Sequence, residues 1–167
     1  KWRCCSGGGD VVKLLLTGAI QWTETQKNEL QQLGHQISYI QDERIPLKKQ
    51  GFSHETIAKL EGVIANGLFL YNDIREFSNL KYIQLTSAGL DRVPIDYIEA
   101  NHITLYNARG VYSIPMAEFA LSGVLQLYKH SRFFMEKQVQ HCWEKKREML
   151  ELYGKTVCIL GCGNVGQ

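Results

Sequence analysis

Lys155-Thr-Val-Cys-Ile-Leu-Gly-Cys-Gly-Asn-Val-Gly-Gln167 is the stretch on which the reading of the fold turns. Thr156 to Leu160 is a short apolar run with β-branched residues, the composition of a strand buried on both faces. Gly161, Gly163 and Gly166 then give the spacing G-x-G-x-x-G. After a strand, this spacing is a dinucleotide-binding fingerprint. The first glycine makes the tight turn, the second lets backbone approach a pyrophosphate, and the third lets the following helix pack close. That helix would offer its free N–H groups to the phosphates. Both the helix and the acidic residue expected about 20 residues further on would fall past Gln167. The expectation is therefore of a truncated chain, the front part of a longer protein.

Composition is that of an ordinary globular chain: 167 residues, 44% hydrophobic and 22% charged, with a formal net charge of +2. Such a balance points away from nucleic acid and acidic membrane surfaces, which call for a clustered basic face. The densest basic run, Lys145-Lys146-Arg147, is flanked by Glu144 and Glu148 and reads as a solvated surface. No apolar run approaches the ~20 residues that span a bilayer. Residues 1–10 have no apolar signal-peptide core and read as a leader or linker. Cys4, Cys5, Cys142, Cys158 and Cys162 form no C-x-x-C pair, so free thiols in a reducing cytoplasm are expected, with no metal site.

Working back from the glycine stretch, strand-like and helix-like runs alternate. Val11–Thr17 reads as a first buried strand. Thr23 and Gln26 make a capping box for a helix to Leu33, closed by Gly34. Gln36–Ile40 is a second strand, and 42–52 a polar loop around Pro46 and Gly51. Ser53 caps a helix over 54–60. Gly62–Ala65 is a third strand, followed by a loop over 66–72 and a helical turn in 73–80. Tyr82–Thr86 is a fourth strand, Ser87-Ala88-Gly89 a tight loop, 94–100 a short helix and 102–106 a fifth strand. This cadence predicts right-handed crossovers and a parallel sheet. Pro115 to His130 is apolar on nearly every side, which predicts a helix buried between bodies, with Glu118 in its first turn. Residues 131–148 read as one more helix or a pair. The domain boundary falls near 107–113.

Three blocks carry a resemblance. They are Leu80-Lys-Tyr-Ile-Gln-Leu-Thr-Ser-Ala-Gly-Leu-Asp91, Asn107-Ala-Arg-Gly-Val-Tyr-Ser-Ile-Pro-Met-Ala-Glu118 and Glu151-Leu-Tyr-Gly-Lys-Thr-Val-Cys-Ile-Leu-Gly-Cys-Gly-Asn-Val-Gly166. In this order they resemble the NAD-dependent D-isomer-specific 2-hydroxyacid dehydrogenases, across roughly Val11 to Gln167. The resemblance implies an α/β fold: a flavodoxin-like parallel-sheet substrate domain over 11–107, then an interdomain helix and the start of an NAD-binding Rossmann domain over 108–167. It implies hydride transfer between NAD(H) and a small 2-keto or D-2-hydroxy acid. A lone Rossmann strand over 156–160 and an uncovered apolar helix at Pro115 would favour self-association, so a homodimer or a swapped arrangement is expected. Substrate carboxylate would be met by backbone N–H groups at Ser87, Ala88 and Gly89, and at a second loop, Asn66 and Gly67. The cofactor would be met by Gly161, Gly163, Asn164, Val165 and Gly166, with Met116 near the nicotinamide. Arg109 is not in the position of the family's catalytic arginine.

The family's catalytic Arg, Glu and His follow the glycine loop. All five histidines here (His35, His54, His102, His130, His141) precede it, so no catalytic residue is assigned within 1–167, and the chain alone is expected to be inactive. Two other readings stand beside the enzyme: an NAD-sensing regulatory binding protein on the same fold, and a folded fragment without activity of its own.

Overall fold

In the computed structural model, which describes residues 11–167, five parallel strands lie in the order β2-β1-β3-β4-β5. They are β1 (Lys13–Thr17), β2 (Gln36–Ile40), β3 (Gly62–Ala65), β4 (Tyr82–Leu85) and β5 (Thr104–Tyr106). The order makes this a flavodoxin-like α/β sheet, which changes direction between β1 and β3. Leu15 and Leu16 are neighbours in β1 and both are fully buried. Successive strand residues face opposite sides, so both faces of the sheet are covered here. Val63, Ala65, Ile83 and Leu85 extend the core, and Ile57, Phe77 and Ile98 reach it from the crossovers. The expected leader at 1–10, with Cys4 and Cys5, lies outside the described residues.

Local chemistry sets most element ends. Helix α1 (Glu24–Gln32) carries the capping box: Thr23 Oγ1 accepts from Gln26 N–H at 3.3 Å, and the Gln26 side chain accepts from Thr23 N–H at 3.0 Å. Gly34 follows at φ 87°, a left-handed position that suits glycine. Ser53 Oγ caps α2 (His54–Ala58) at 3.1 Å. Helix α3 (Ile95–Ala100) ends differently, on His102 at φ 53°. His102 N–H donates to Glu99 O at 3.1 Å and Ile103 N–H to Ile98 O at 3.0 Å, the Schellman pattern. This tight stop delays β5 to Thr104, two residues later than the expected His102.

Several expectations need correction. The loop at 42–52 contains a 3-10 turn, Leu47–Gln50, and Leu47 is fully buried. The helix expected over 54–60 stops at Ala58. Helix α4 (Ser113–Tyr128) starts two residues early, so Pro115 is its third residue and Glu118 lies beyond the first turn. Pro is tolerated there because the first helical N–H groups have no intrahelical acceptor. Helix α4 is not buried: Phe119 is 80% and Leu127 77% exposed. The stretch after it is helical only over α5 (Ser131–Val139). His141 at φ 51° ends it, with Cys142 N–H on Lys137 O and His141 N–H on Gln138 O, each at 3.0 Å.

The strand expected over 156–160 is not formed; Val157, Ile159 and Leu160 are exposed. A parallel strand needs a neighbour to take its N–H and C=O groups. Among 110–167 no second run has strand geometry. The chain divides into two compact units between Arg109 and Gly110.

One polar residue ties the opposite end of the sheet from the strand C-termini. Glu61, just before β3, accepts from Lys13 N–H at 3.2 Å and from Lys81 Nζ at 2.8 Å. The Lys81 hydrogen bond, then the Lys13 N–H, holds its carboxyl below the usual glutamate range. A depressed folded pKa contributes stability that is present above the unfolded value and lost as pH falls through the folded one. Glu61→Gln is therefore expected to lower stability at pH 7 and to cost less at about pH 3, below the unfolded glutamate pKa, where the loss of this stability with falling pH is under way. Urea melts at the two pH values check this; equal losses at both would exclude the charge as the cause.

Candidate functional site

All five strands point the same way, so their C-terminal ends deliver the following loops to one edge of the sheet. In open α/β sheets this is where ligands bind, at the point where strand order reverses. Here that point lies between β1 and β3, flanked by Gly18 and by Asn66-Gly67. Gly18 N–H donates to Ile40 O at 2.8 Å. A Cβ on Gly18 would stand 2.1 Å from Gln41 O. The absence of a side chain is what lets the β1 and β2 ends close together. A cleft of 580 Å³ opens beside them, lined by Gly18, Glu43, Arg44, Asn66, Gly67 and Arg92 among others.

The Ser87-Ala88-Gly89 turn follows β4. Its carbonyls are all used. Ser87 Oγ donates to Gly89 O at 3.1 Å, Asn107 Nδ2 to Ala88 O at 2.8 Å and Ala108 N–H to Ser87 O at 2.9 Å. Asn107 thus braces the turn from the end of β5. The N–H groups of Ala88 and Gly89 have no acceptor among the described residues. Two adjacent donors on an exposed, braced turn can bind a small carboxylate.

The second expected loop differs. The N–H groups of Asn66 and Gly67 already donate, at 2.8 and 2.7 Å, to the two oxygens of Glu43. Thr17 Oγ1 adds a contact of 2.5 Å to the same carboxylate. Asn66 Oδ1 is buried without a donor. Neither Glu43 nor Thr17 stood out in the sequence. Thr17 offered the one signal: a hydroxyl ending an apolar strand, fully buried, needs a partner.

The residues expected at the cofactor lie in the second unit. Gly161 sits at φ 105°. Gly166 N–H donates to Gly163 O at 3.0 Å and Gln167 N–H to the same oxygen at 3.2 Å. The two bonds close a single turn over 163–167. A Cβ on Gly166 would stand 2.4 Å from Gly161 O, so the loop folds back on itself only with glycine there. Asn164 and Val165 N–H groups have no acceptor among the described residues. A glycine at a left-handed φ (Gly161), one where a side chain would collide (Gly166) and free N–H groups beside them make a loop that a phosphate-bearing ligand can approach closely. Met116 is an exposed residue of α4.

The histidines take structural places. His102, His130 and His141 occupy left-handed positions after α3, α4 and α5. His130 Nε2 is 3.1 Å from Glu148 O. Among the described residues no histidine hydrogen-bonds a carboxylate, so no pair has the make-up of a general acid with its orienting carboxylate. Arg109 is exposed.

Residues 16–157 match the family model described as "D-isomer specific 2-hydroxyacid dehydrogenase, catalytic domain". Over 90 residues the chain is 32% identical to the hydroxypyruvate reductase of Thermotoga maritima, covering 53% of this chain and 29% of that one. The fold is similar to that of a glyoxylate reductase from Paecilomyes thermophila, with a TM-score of 0.73 at 18% identity, covering 93% of this chain and 50% of the other. It is also similar to an NAD+-bound 3-phosphoglycerate dehydrogenase of Entamoeba histolytica, with a TM-score of 0.62 at 20% identity, covering 94% and 48%. The chain thus spans half or less of the length of each of these relatives.

Proposed function

The chain belongs to the D-isomer specific 2-hydroxyacid dehydrogenases, and on that premise we propose that it supplies the substrate-binding part of an oxidoreductase acting on a 2-keto or D-2-hydroxy acid. The observation that carries the site is the Ser87-Ala88-Gly89 turn, with two free N–H donors at the C-terminal end of β4. These donors hold the acid's carboxylate, and Asn107 keeps the turn rigid by its bond to Ala88 O. NAD(H), held by the Gly161–Gly166 loop through Asn164 and Val165 N–H groups, would supply or accept the hydride. Met116 is proposed to approach the nicotinamide. Residues 11–107 form the substrate domain and 108–167 the interdomain helix and the beginning of the nucleotide domain.

No residue among 1–167 is assigned as the general acid. This polypeptide alone is therefore expected to bind a small carboxylate and not to turn it over. The test pairs two measurements on it. Glyoxylate or hydroxypyruvate with NADH should give no loss of 340 nm absorbance. The same acids should shift the Ala88 and Gly89 amide resonances saturably. Turnover would refute the assignment of no catalytic residue, and shifts confined to other amides would refute the turn as the carboxylate site.

A homodimer is also proposed. Ile114, Phe119 and Leu127 expose large apolar area on one helix, and such patches drive association. Sedimentation velocity should give a dimer, and Phe119→Glu with Leu127→Glu should return it to monomer; a monomeric parent chain would refute this. Cys142, Cys158 and Cys162 are exposed and unpaired, which suits a reducing, cytoplasmic setting.

A further inference from the structure

The Asn66-Gly67 turn holds a carboxylate that the chain itself provides. Glu43 Oε1 accepts from Asn66 N–H at 2.8 Å and Oε2 from Gly67 N–H at 2.7 Å. Thr17 Oγ1 lies 2.5 Å from Glu43 Oε1 and 3.1 Å from Ile64 O. One hydroxyl proton serves one acceptor, and the nearer, charged oxygen takes it. The three donors come from the ends of β1 and β3, and the carboxylate from the segment after β2. No ion pair to Glu43 exists among the described residues, so neutral donors alone hold it. Glu43, Asn66 and Gly67 also line the 580 Å³ cleft, which gives a small molecule a path to the same place.

We infer that Thr17, Asn66 and Gly67 form a carboxylate-binding cradle that Glu43 fills as an internal ligand. Filled in this way, the cradle is closed to a small-molecule carboxylate, which is left to the free donors of the Ser87-Ala88-Gly89 turn. Glu43 is then a specificity-determining residue: it selects which of two backbone anion sites at one sheet edge is open. The cradle itself stands on the geometry; its part in directing substrate rests on the hydroxyacid-dehydrogenase reading. The occupant it would accept is a compact carboxylate. Two N–H groups bond the two oxygens separately, as they do for Glu43, and a hydroxyl adds a third bond to one oxygen.

The experiment is an acetate titration of the ¹⁵N-labelled full chain, with wild type and Glu43→Ala compared at constant ionic strength. In Glu43→Ala the Asn66 and Gly67 amides should shift saturably, with half-saturation at least about tenfold below wild type, and acetate should raise its Tm by mass action. Sodium chloride at the same concentration should not reproduce the shifts. A folded Glu43→Ala chain without saturable shifts overturns the cradle, as do equal shifts in wild type. Should Glu43→Ala not fold, Glu43→Gln keeps the side-chain volume and removes the charge of the internal occupant while leaving all three donors in place. Acetate should then compete at Asn66 and Gly67 more strongly than in wild type, and an unchanged response overturns the inference. The titration reads binding alone, so its failure would leave the dehydrogenase reading in place, and a failed turnover assay would leave the cradle in place.

Discussion

Gly18→Ala is expected to destabilise the first unit by about 3 kcal/mol, through a collision between two stretches of backbone. A Cβ at position 18 would stand 2.1 Å from Gln41 O and 3.0 Å from the Gln41 carbonyl carbon. Neither atom can rotate aside as a side chain could. The chain must separate the ends of β1 and β2 or turn the Gln41 peptide. Either move strains the 2.8 Å bond from Gly18 N–H to Ile40 O and drags Glu43, two residues beyond Gln41, off the Asn66 and Gly67 donors. Gly34→Ala is the informative comparison. A Cβ there meets nothing, and its cost of about 1 kcal/mol comes from φ 87° alone. Urea melts should rank Gly18→Ala well below Gly34→Ala in stability, and Gly18→Ala should also move the Gly67 amide resonance. A Gly18→Ala midpoint within error of wild type would refute the collision.

The sequence was legible where the determining interactions are local. Thr23 and Gln26 announce the start of α1 because a capping box needs only four residues. The β2 and β3 limits follow from apolar runs between turn residues, and the parallel sheet from their cadence. The Ser87-Ala88-Gly89 turn could be placed at the C-terminal edge of the sheet because it follows a run read as a parallel strand. What stayed hidden was set at a distance. Residues 156–160 have strand composition, but composition cannot provide the neighbour a strand requires. His141, at φ 51°, ends α5 where glycine is the usual signal, so the stop at Val139 is invisible to a search for Gly. Glu43 reads as a surface carboxylate in a polar loop. Only the fold brings it to N–H groups 23 and 24 positions away.

Leu47 carries the same lesson into energetics, and Leu47→Ala should lower stability by about 3 kcal/mol, within the 2–5 kcal/mol span of such core truncations. The loop at 42–52 is polar in composition, yet Leu47 has no exposed surface and belongs to the main core. Its backbone is satisfied as well as its side chain. Leu47 N–H donates to Asn72 Oδ1 at 2.8 Å, while Asn72 Nδ2 donates to Leu68 O at 3.0 Å. Asn72 therefore ties the 3-10 turn at Leu47–Gln50 to the one at Leu68–Leu70. Leu47 lies four residues after Glu43, so this anchor fixes the segment that delivers Glu43 to the sheet edge. Removing the side chain leaves a cavity that the neighbouring 3-10 turn can fill only by moving the same segment. For a domain of about 100 residues the expected loss lowers Tm by more than about 10 °C. Asn72→Ala should cost about 2 kcal/mol, because it strands a buried N–H. The two sites share one contact, so the double variant should lose less than the sum. Calorimetry of the three variants checks this. A Leu47→Ala loss below about 1 kcal/mol would mean that the loop is not anchored in the core, and Glu43 would then be free to leave Asn66 and Gly67.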